Sequence, residues 1–243
     1  MFDPFGDFET KGYLRNIERI KDLNVLKRYE HLFFEANIER ALSYLQSIKG
    51  NIEYSHFLMV HEIIFKDFYP WAGCDRASLG VGRLVSKGQR VQFEASERSQ
   101  RAVEWGLSKG NDPVVMQREP GVVMGAFAWG HPFLDGNGRT MLLVHAELCR
   151  RAKIFINWNA TRKEDYLESL TLDINDPQGN HLNKYLLPFI SQLKNENLLD
   201  HLKSLVGLNG QSSTIIPDIA YHADDPVANA AYEEAKRLRG ELF

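Results

Sequence analysis

Residues 130–142 read GHPFLDGNGRTML. Gly136, Asn137 and Gly138 stand directly before an apolar run with helical spacing: Met141, Leu142, Leu143, Val144 and Leu148. Glycines at such a point let backbone N–H groups converge on a ligand without side-chain clash. The first N–H groups of a helix have no internal partner, and the helix dipole concentrates about half a positive charge there. The pattern therefore predicts an anion hole suited to phosphate. Arg139 falls in the first helical turn, where a cation opposes the dipole. A bound diphosphate would remove that conflict by pairing with the guanidinium. Asp135 is a hard oxygen donor beside the phosphate position, the kind of lone carboxylate that holds Mg²⁺ while phosphates and water complete the octahedron. His131 lies four residues earlier, at the end of the preceding helical pattern. With an ordinary pKa of about 6.5 it can accept a proton near neutrality. Two readings stay open on these residues: a glycine-rich turn with a structural histidine before a helix, or a phosphate site, whose implied chemistry is transfer of a phosphoryl-type group to a protein hydroxyl. His131 takes the proton; the helix N-terminus, Arg139 and Mg²⁺ stabilise charge on the phosphates.

Outward from this stretch the chain reads as mainly α. From about Asn16 to Ser47 apolar residues recur at three- and four-residue spacing, with Gly50 as a stop. EYSHFLMVHEIIFKDFY (53–69) is a second amphipathic helix running into Pro70. RLVSKGQRVQF (83–93) departs from helical spacing: Val85, Val91 and Phe93 flank a Lys87-Gly88 turn and predict a short β-hairpin. Ser96 is placed to N-cap a helix through Leu107. Further helices are expected over about Val114–Trp129, Asn137–Ala152, from a Thr161–Glu164 capping box to Leu172, and over Leu182–Leu205. After Gly207 the sequence turns polar and rich in turn residues, reading as a linker before a short terminal helix within VANAAYEEAKRLRGELF. The organisation expected is an N-terminal helical extension over 1–50 packed on the core, a main domain over 51–206, and a linker with a short helix over 207–243.

The 243 residues are 44% hydrophobic and 25% charged, ordinary for a globular chain with a sizeable core. A net charge of −3 carries no basic footprint for nucleic acid or an anionic membrane surface. No stretch approaches the roughly 18 apolar residues of a membrane span, and the acidic MFDPFGDFET does not read as a signal peptide. Cys74 and Cys149 have no metal-type spacing; free thiols in a reducing compartment fit them better than a disulfide. His56 and His61, five residues apart, make a poor metal pair; His145 reads as packing or a supporting hydrogen bond, and Trp71 and Trp129 as core.

HPFLDGNGR (131–139) resembles the signature H-P-F-x-D/E-G-N-G-R-x-x-R of the Fic family at every position through Arg139. FKDFYPWAGCDR (65–76) is similar to a second family segment, and the hairpin falls where the family places its target-binding flap. The resemblance spans roughly 57–189. It implies a helical bundle with a short β-hairpin flap, and transfer of AMP from Mg-ATP to a Ser, Thr or Tyr hydroxyl of a target protein. By position it implies His131 as general base and Asp135 as Mg²⁺ ligand. Gly136, Asn137 and Gly138 would cradle the α- and β-phosphates, and Arg139 would pair with the β-phosphate. Phe133 would anchor the loop, and Ser86 and Lys87 at the flap would line the nucleotide. Tyr166 falls near the family's base pocket, with helix–helix packing as the equal alternative. A target would be held along the flap as an added strand, and a separate antitoxin or regulatory protein is a further partner the family admits. The location implied is the bacterial cytoplasm, or a host cell for a translocated effector.

One position departs. The second arginine of the signature would fall at 142, where the chain has Leu142, and no glutamate sits in the family's inhibitory-helix pattern. Arg83, Lys87 and Arg90 on the hairpin are the candidate substitutes for the missing cation. The departure leaves two alternatives beside ATP transfer: another donor (UTP or CDP-choline), or a catalytically weak nucleotide-binding interaction module.

Overall fold

The computed structural model describes residues 15–81, 83–87, 91–192, 198–203, 219–222 and 225–239; for 219–222 and His201 only the backbone is described. α1 (Leu23–Ser47) starts at Asp22, whose carboxylate accepts from the N–H groups of Asn24 and Val25. The helix therefore begins seven residues later than the periodicity suggests. Asn16 instead bonds both backbone groups of Ile20 with its side chain, at 2.9 Å each. Short amide and carboxylate side chains compete with the helix for such groups, so Asn16–Asp22 is a bracketed turn. α1 lies against α2 (Tyr54–Phe65), burying Leu26, Phe34, Ile38 and Leu45 against Phe57, Val60 and Ile64. After the short α3 (Arg76–Leu79) comes the expected hairpin, β1 (Leu84–Lys87) with β2 (Val91–Gln92), paired Ser86↔Gln92 and Lys87↔Val91. Gly88 and Arg90 lie outside the described residues.

α4 (Ser96–Gly110) takes Ala95 as its N-cap, so Ser96 is the first helical residue, and the helix continues past Leu107. The helix expected over 114–129 is two: α5 (Pro113–Arg118) and α6 (Pro120–Gly130). Pro120 offers no N–H and its ring clashes with the preceding turn, so it divides them and opens the second. α6 is apolar all round and packs against α4, α7 and α9 as the central helix. Its contact with α9 is so close that a Cβ on Gly121 would stand 2.3 Å from the amide nitrogen of Asn183. α7 (Asn137–Arg151) leads into β3 (Ile154–Ile156). α8 (Lys163–Asn175) begins without the capping box: the Thr161 hydroxyl donates to the Trp158 carbonyl instead, at 2.7 Å. The long helix expected over 182–205 is broken by Pro188. α9 (His181–Leu186) gives way to a 3₁₀ turn, then to β4 (Ile190–Gln192), which pairs antiparallel with β3; α10 (Leu198–Lys203) follows.

The tail is not merely a linker. β5 (Ile219–His222) adds antiparallel to β1 on the edge opposite β2, from Leu84↔His222 to Lys87↔Ile219, giving the sheet order β2-β1-β5. α11 (Pro226–Arg239) anchors it. Tyr232 donates to the buried Glu94 (2.6 Å) and Arg83 to Asn229 (2.7 Å). The Arg239 guanidinium lies 3.9 Å over the Trp129 ring and donates to the Ile174 carbonyl. Among the described residues no helix is long and apolar enough to cross a membrane. Both cysteines are free, Cys74 exposed and Cys149 buried. The architecture is mainly α, a helical bundle with short antiparallel strand pairs, as the sequence predicts.

His145 ties α7 to the start of α6, its Nε2–H donating to the Pro120 carbonyl at 2.8 Å. Burial holds its pKa down at about 4, and holds that of His61 at about 3. Both are neutral in the fold and protonate freely once unfolded, so their contribution is complete above the unfolded value of about 6.5 and is lost as pH falls toward the folded values. Urea midpoints are expected to drop between pH 6.5 and 4, with a shallower drop in His145→Gln, which keeps an N–H donor but no titrating ring.

Candidate active site

His131 closes α6 in a left-handed conformation (φ 40°, ψ 56°) that turns the chain sharply out of the helix. Its ring stacks on Phe93, just after the flap, with centroids 3.8 Å apart. Behind it sits the fully buried Arg76, which donates to the carbonyls of His131 (2.8 Å), Glu94 (2.8 Å) and Gly130 (3.4 Å). Burial, then the positive charges of Arg76 and Lys87, hold the His131 pKa well below its usual value. The imidazole is thus neutral at physiological pH, and its Nε2 is buried with no hydrogen-bond partner. A neutral ring nitrogen left free in this way is equipped to accept a proton.

The loop from His131 to α7 is held from inside. Asn137 bonds Phe133 twice, accepting from its N–H at 2.9 Å and donating to its carbonyl at 2.8 Å. The Phe133 ring stacks on His61, centroids 3.8 Å apart. His61 accepts from the Gly73 N–H and donates to the Asp135 carbonyl, at 2.9 and 3.0 Å. Gly136 has φ 76°, and a Cβ there would stand 2.4 Å from the Phe65 ring, so glycine is required on both counts. A Cβ on Gly138 would meet nothing within 4 Å. The N-terminus of α7 therefore opens onto free space, with its first N–H groups unpaired within the helix. That is the geometry of an anion cradle.

Two charged residues complete the cradle. Asp135 accepts from the Gly136 N–H at 2.7 Å through one oxygen, and its other oxygen pairs with Lys27. Burial alone would raise its pKa, but Lys27 and Arg139 hold the carboxyl below the usual range. Arg139 lies 5.8 Å from the Phe65 ring centroid and 3.5 Å from a carboxylate oxygen of Glu30. Glu30 is fully buried; Tyr69 donates to it, and Lys27 lies 3.0 Å from it.

The site residues expected from sequence are thus distributed unevenly. His131, Asp135, Gly136, Gly138 and Arg139 lie along one loop and helix start. Asn137 has turned its side chain inward, which leaves its backbone N–H as its means of meeting a ligand. Lys87 is half-buried, and its ammonium is near enough to Asp135 and Lys27 to feel their charges. Successive strand residues point to opposite faces, which turns Ser86 away from Lys87. Of the proposed substitute cations, Arg83 is engaged by Glu97 and Asn229, and Arg90 is outside the described residues. Leu142 is buried in the core. Tyr166 packs edge-on against Trp158, centroids 5.3 Å apart.

Sequence reasoning missed Lys27, Glu30, His61 and Arg76 as parts of this region. Glu30 did carry a signal: it sits between Leu26 and Phe34 at four-residue spacing, a charge in the apolar register of α1. A carboxylate at such a position needs a buried partner.

A family model described as Fic/DOC matches residues 51–149. Those residues are a Fic domain. VbhT of Bartonella schoenbuchensis, a protein adenylyltransferase, is 31% identical over 165 residues, covering 67% of this chain and 34% of VbhT. The chain thus spans about a third of that relative's length. The probable protein adenylyltransferase y4lH of Sinorhizobium fredii is 24% identical over 177 residues, covering 65% of this chain and 81% of y4lH. Among solved structures, BepC of Bartonella tribocorum, a VirB-translocated effector crystallised with AMPPNP, superposes with a TM-score of 0.62 at 16% identity, over 77% of this chain and 96% of BepC. The helical bundle around α6 and α7 is therefore the Fic fold, and α1, with Lys27 and Glu30, precedes the span the family model covers.

Proposed function

We propose that this chain is a protein adenylyltransferase, moving AMP from Mg-ATP to a hydroxyl of a target protein. The observation that carries the reading is the unpartnered, buried Nε2 of His131 on the loop that opens the α7 cradle. His131 Nε2 takes the proton as the target oxygen bonds to the α-phosphorus. The bond from that phosphorus to the bridging oxygen breaks, and pyrophosphate leaves. The N–H groups at the start of α7 and the Arg139 guanidinium stabilise the phosphate charge through preorganised donors. Asp135 fits as the carboxylate for Mg²⁺, since its outer oxygen already faces an ammonium and so accommodates a cation. When bound there, the metal ion would neutralise phosphate charge. The adenylyltransferase names of the relatives support the donor, and the buried Leu142 favours keeping UTP and CDP-choline in the test. Intact-protein mass spectrometry after incubation with ATP, UTP or CDP-choline and candidate targets reads the added mass as AMP, UMP or phosphocholine. No added mass from any donor would leave a nucleotide-binding module. The VirB-translocated neighbours are compatible with an effector role, and the same chemistry suits a bacterial cytoplasmic target.

A target adding to the flap alongside β1 meets an occupied edge, because β1 is already paired with β5, and β2 is the hairpin's outer strand in the order β2-β1-β5. Docking on that edge requires residues 219–222 to leave. Ala220→Pro removes a backbone donor from the β5 ladder and leaves α11 intact. The expected result is faster amide exchange along Leu84–Lys87 and a severalfold rise in labelling of added proteins. Unchanged labelling with β5 demonstrably loosened would place the target elsewhere.

A further inference from the structure

We infer that Lys27, on a helix outside the span of the family model, is a ligand for the phosphate chain of the nucleotide. The inference rests on the adenylyltransferase reading and deepens it. α1 crosses the start of α7, and Lys27 and Glu30, three residues apart, project from one face of it into the mouth of the cradle. There Lys27 pairs with Asp135 and Glu30, and Arg139 approaches the same Glu30 oxygen that Lys27 does. Two cations and two carboxylates form one cluster. The side chains of Lys27 and Asp135 are 22% and 21% exposed and that of Arg139 15%, whereas that of Glu30 is 0% exposed, so the cluster opens outward through Lys27, Asp135 and Arg139 and is closed at Glu30.

Charge decides what the cluster does to a polyphosphate. With Lys27 present the four side chains sum to zero, and the half-charge of the helix N-terminus leaves the cradle net attractive. Without Lys27, Asp135 and Glu30 oppose Arg139 alone, and the mouth of the cradle becomes negative. Glu30 cannot move away to relieve this, because Tyr69 holds its other oxygen in the core. An ammonium on a flexible four-carbon stem can turn from a carboxylate to a phosphate oxygen without moving the helix. Leu142 supplies no charge from α7, and Arg83 is committed to Glu97 and Asn229; Lys87 feels the Asp135 charge from the hairpin, but Lys27 and Arg139 are the cations paired with the carboxylates of the cluster. Because the attraction is Coulombic, it grows with the number of phosphates on the ligand.

The test is calorimetric titration of the full chain with ATP, ADP and AMP in Mg²⁺ buffer, comparing Lys27→Met, Lys27→Gln and Lys27→Arg with the unmodified protein. Loss of a charge-assisted phosphate contact predicts about 10- to 100-fold weaker ATP binding in the Met and Gln variants. AMP affinity should change by less than about threefold, and Lys27→Arg should retain most ATP affinity, since it keeps the charge. The Gln variant, which keeps a polar head for Asp135, gives the reading if the Met variant does not fold. Equal losses for ATP and AMP, or none, would overturn the role of Lys27. If the unmodified chain binds none of the three nucleotides, the adenylyltransferase reading fails instead.

Discussion

A His131→Asn variant is expected to keep its fold and its ATP affinity while losing about 10²–10⁴-fold of its transfer rate, the usual contribution of a positioned base. Asparagine suits the test better than alanine. Residue 131 has φ 40°, a left-handed conformation that asparagine tolerates and alanine does not. Alanine there costs about 1–2 kcal/mol of backbone strain and also empties the space beside Phe93. A rate loss in alanine alone would therefore mix chemistry with structure. Asparagine removes the titrating nitrogen, and its amide offers no comparable basicity. The decisive readings are single-turnover labelling from ATP, ATP titration and a thermal melt on the same sample. A labelling rate within threefold of the unmodified protein, with folding intact, would transfer the base to another group.

How much of this was readable beforehand depends on where the information lies in the chain. The geometry of the candidate cradle was legible because one continuous stretch, His131 to Arg139, holds the histidine proposed as base, the carboxylate, the glycines and the helix start, and such local chemistry fixes local geometry. The hairpin was legible because Val85, Val91 and Phe93 break the helical spacing. The breaks at Pro120 and Pro188 were available in the sequence, yet the apolar spacing on either side outweighed them in the reading. β4 and β5 were not readable by pattern. Each is three or four residues long, and each exists because a distant strand offers it unpaired backbone groups, β3 in one case and β1 in the other. Lys27 is the same problem at the level of a side chain. Its role depends on α1 crossing α7 more than a hundred residues later, and nothing in RYEHLFFEAN (28–37) or its neighbours encodes that crossing.

Arg76→Met is expected to be the most damaging single change to stability, at about 3–5 kcal/mol, read from urea melts. Methionine matches the length of the arginine stem and fills the volume, so packing is largely kept. What is lost is a buried guanidinium that satisfies the carbonyls of Glu94, Gly130 and His131 at once. Those three carbonyls belong to the segment after the flap, the end of α6 and the start of the loop that leads to α7. Leaving them buried without donors costs the desolvation of each, and it releases the flap from the loop. The change also has a chemical reading. Burial is the main cause of the depressed His131 pKa, and the Arg76 charge is the next. Removing that charge should move the pKa up toward its ordinary value, so the acid limb of the transfer rate shifts to higher pH in whatever fraction remains folded. Arg76→Lys separates the two effects. It keeps the charge, so the pH profile stays in place, but a single ammonium cannot reach three carbonyls in a fixed fork, so much of the stability loss persists. A lysine variant as stable as the original would mean that charge alone holds this junction. A methionine variant with an unshifted pH profile would mean that burial and the Lys87 charge set the His131 pKa without Arg76.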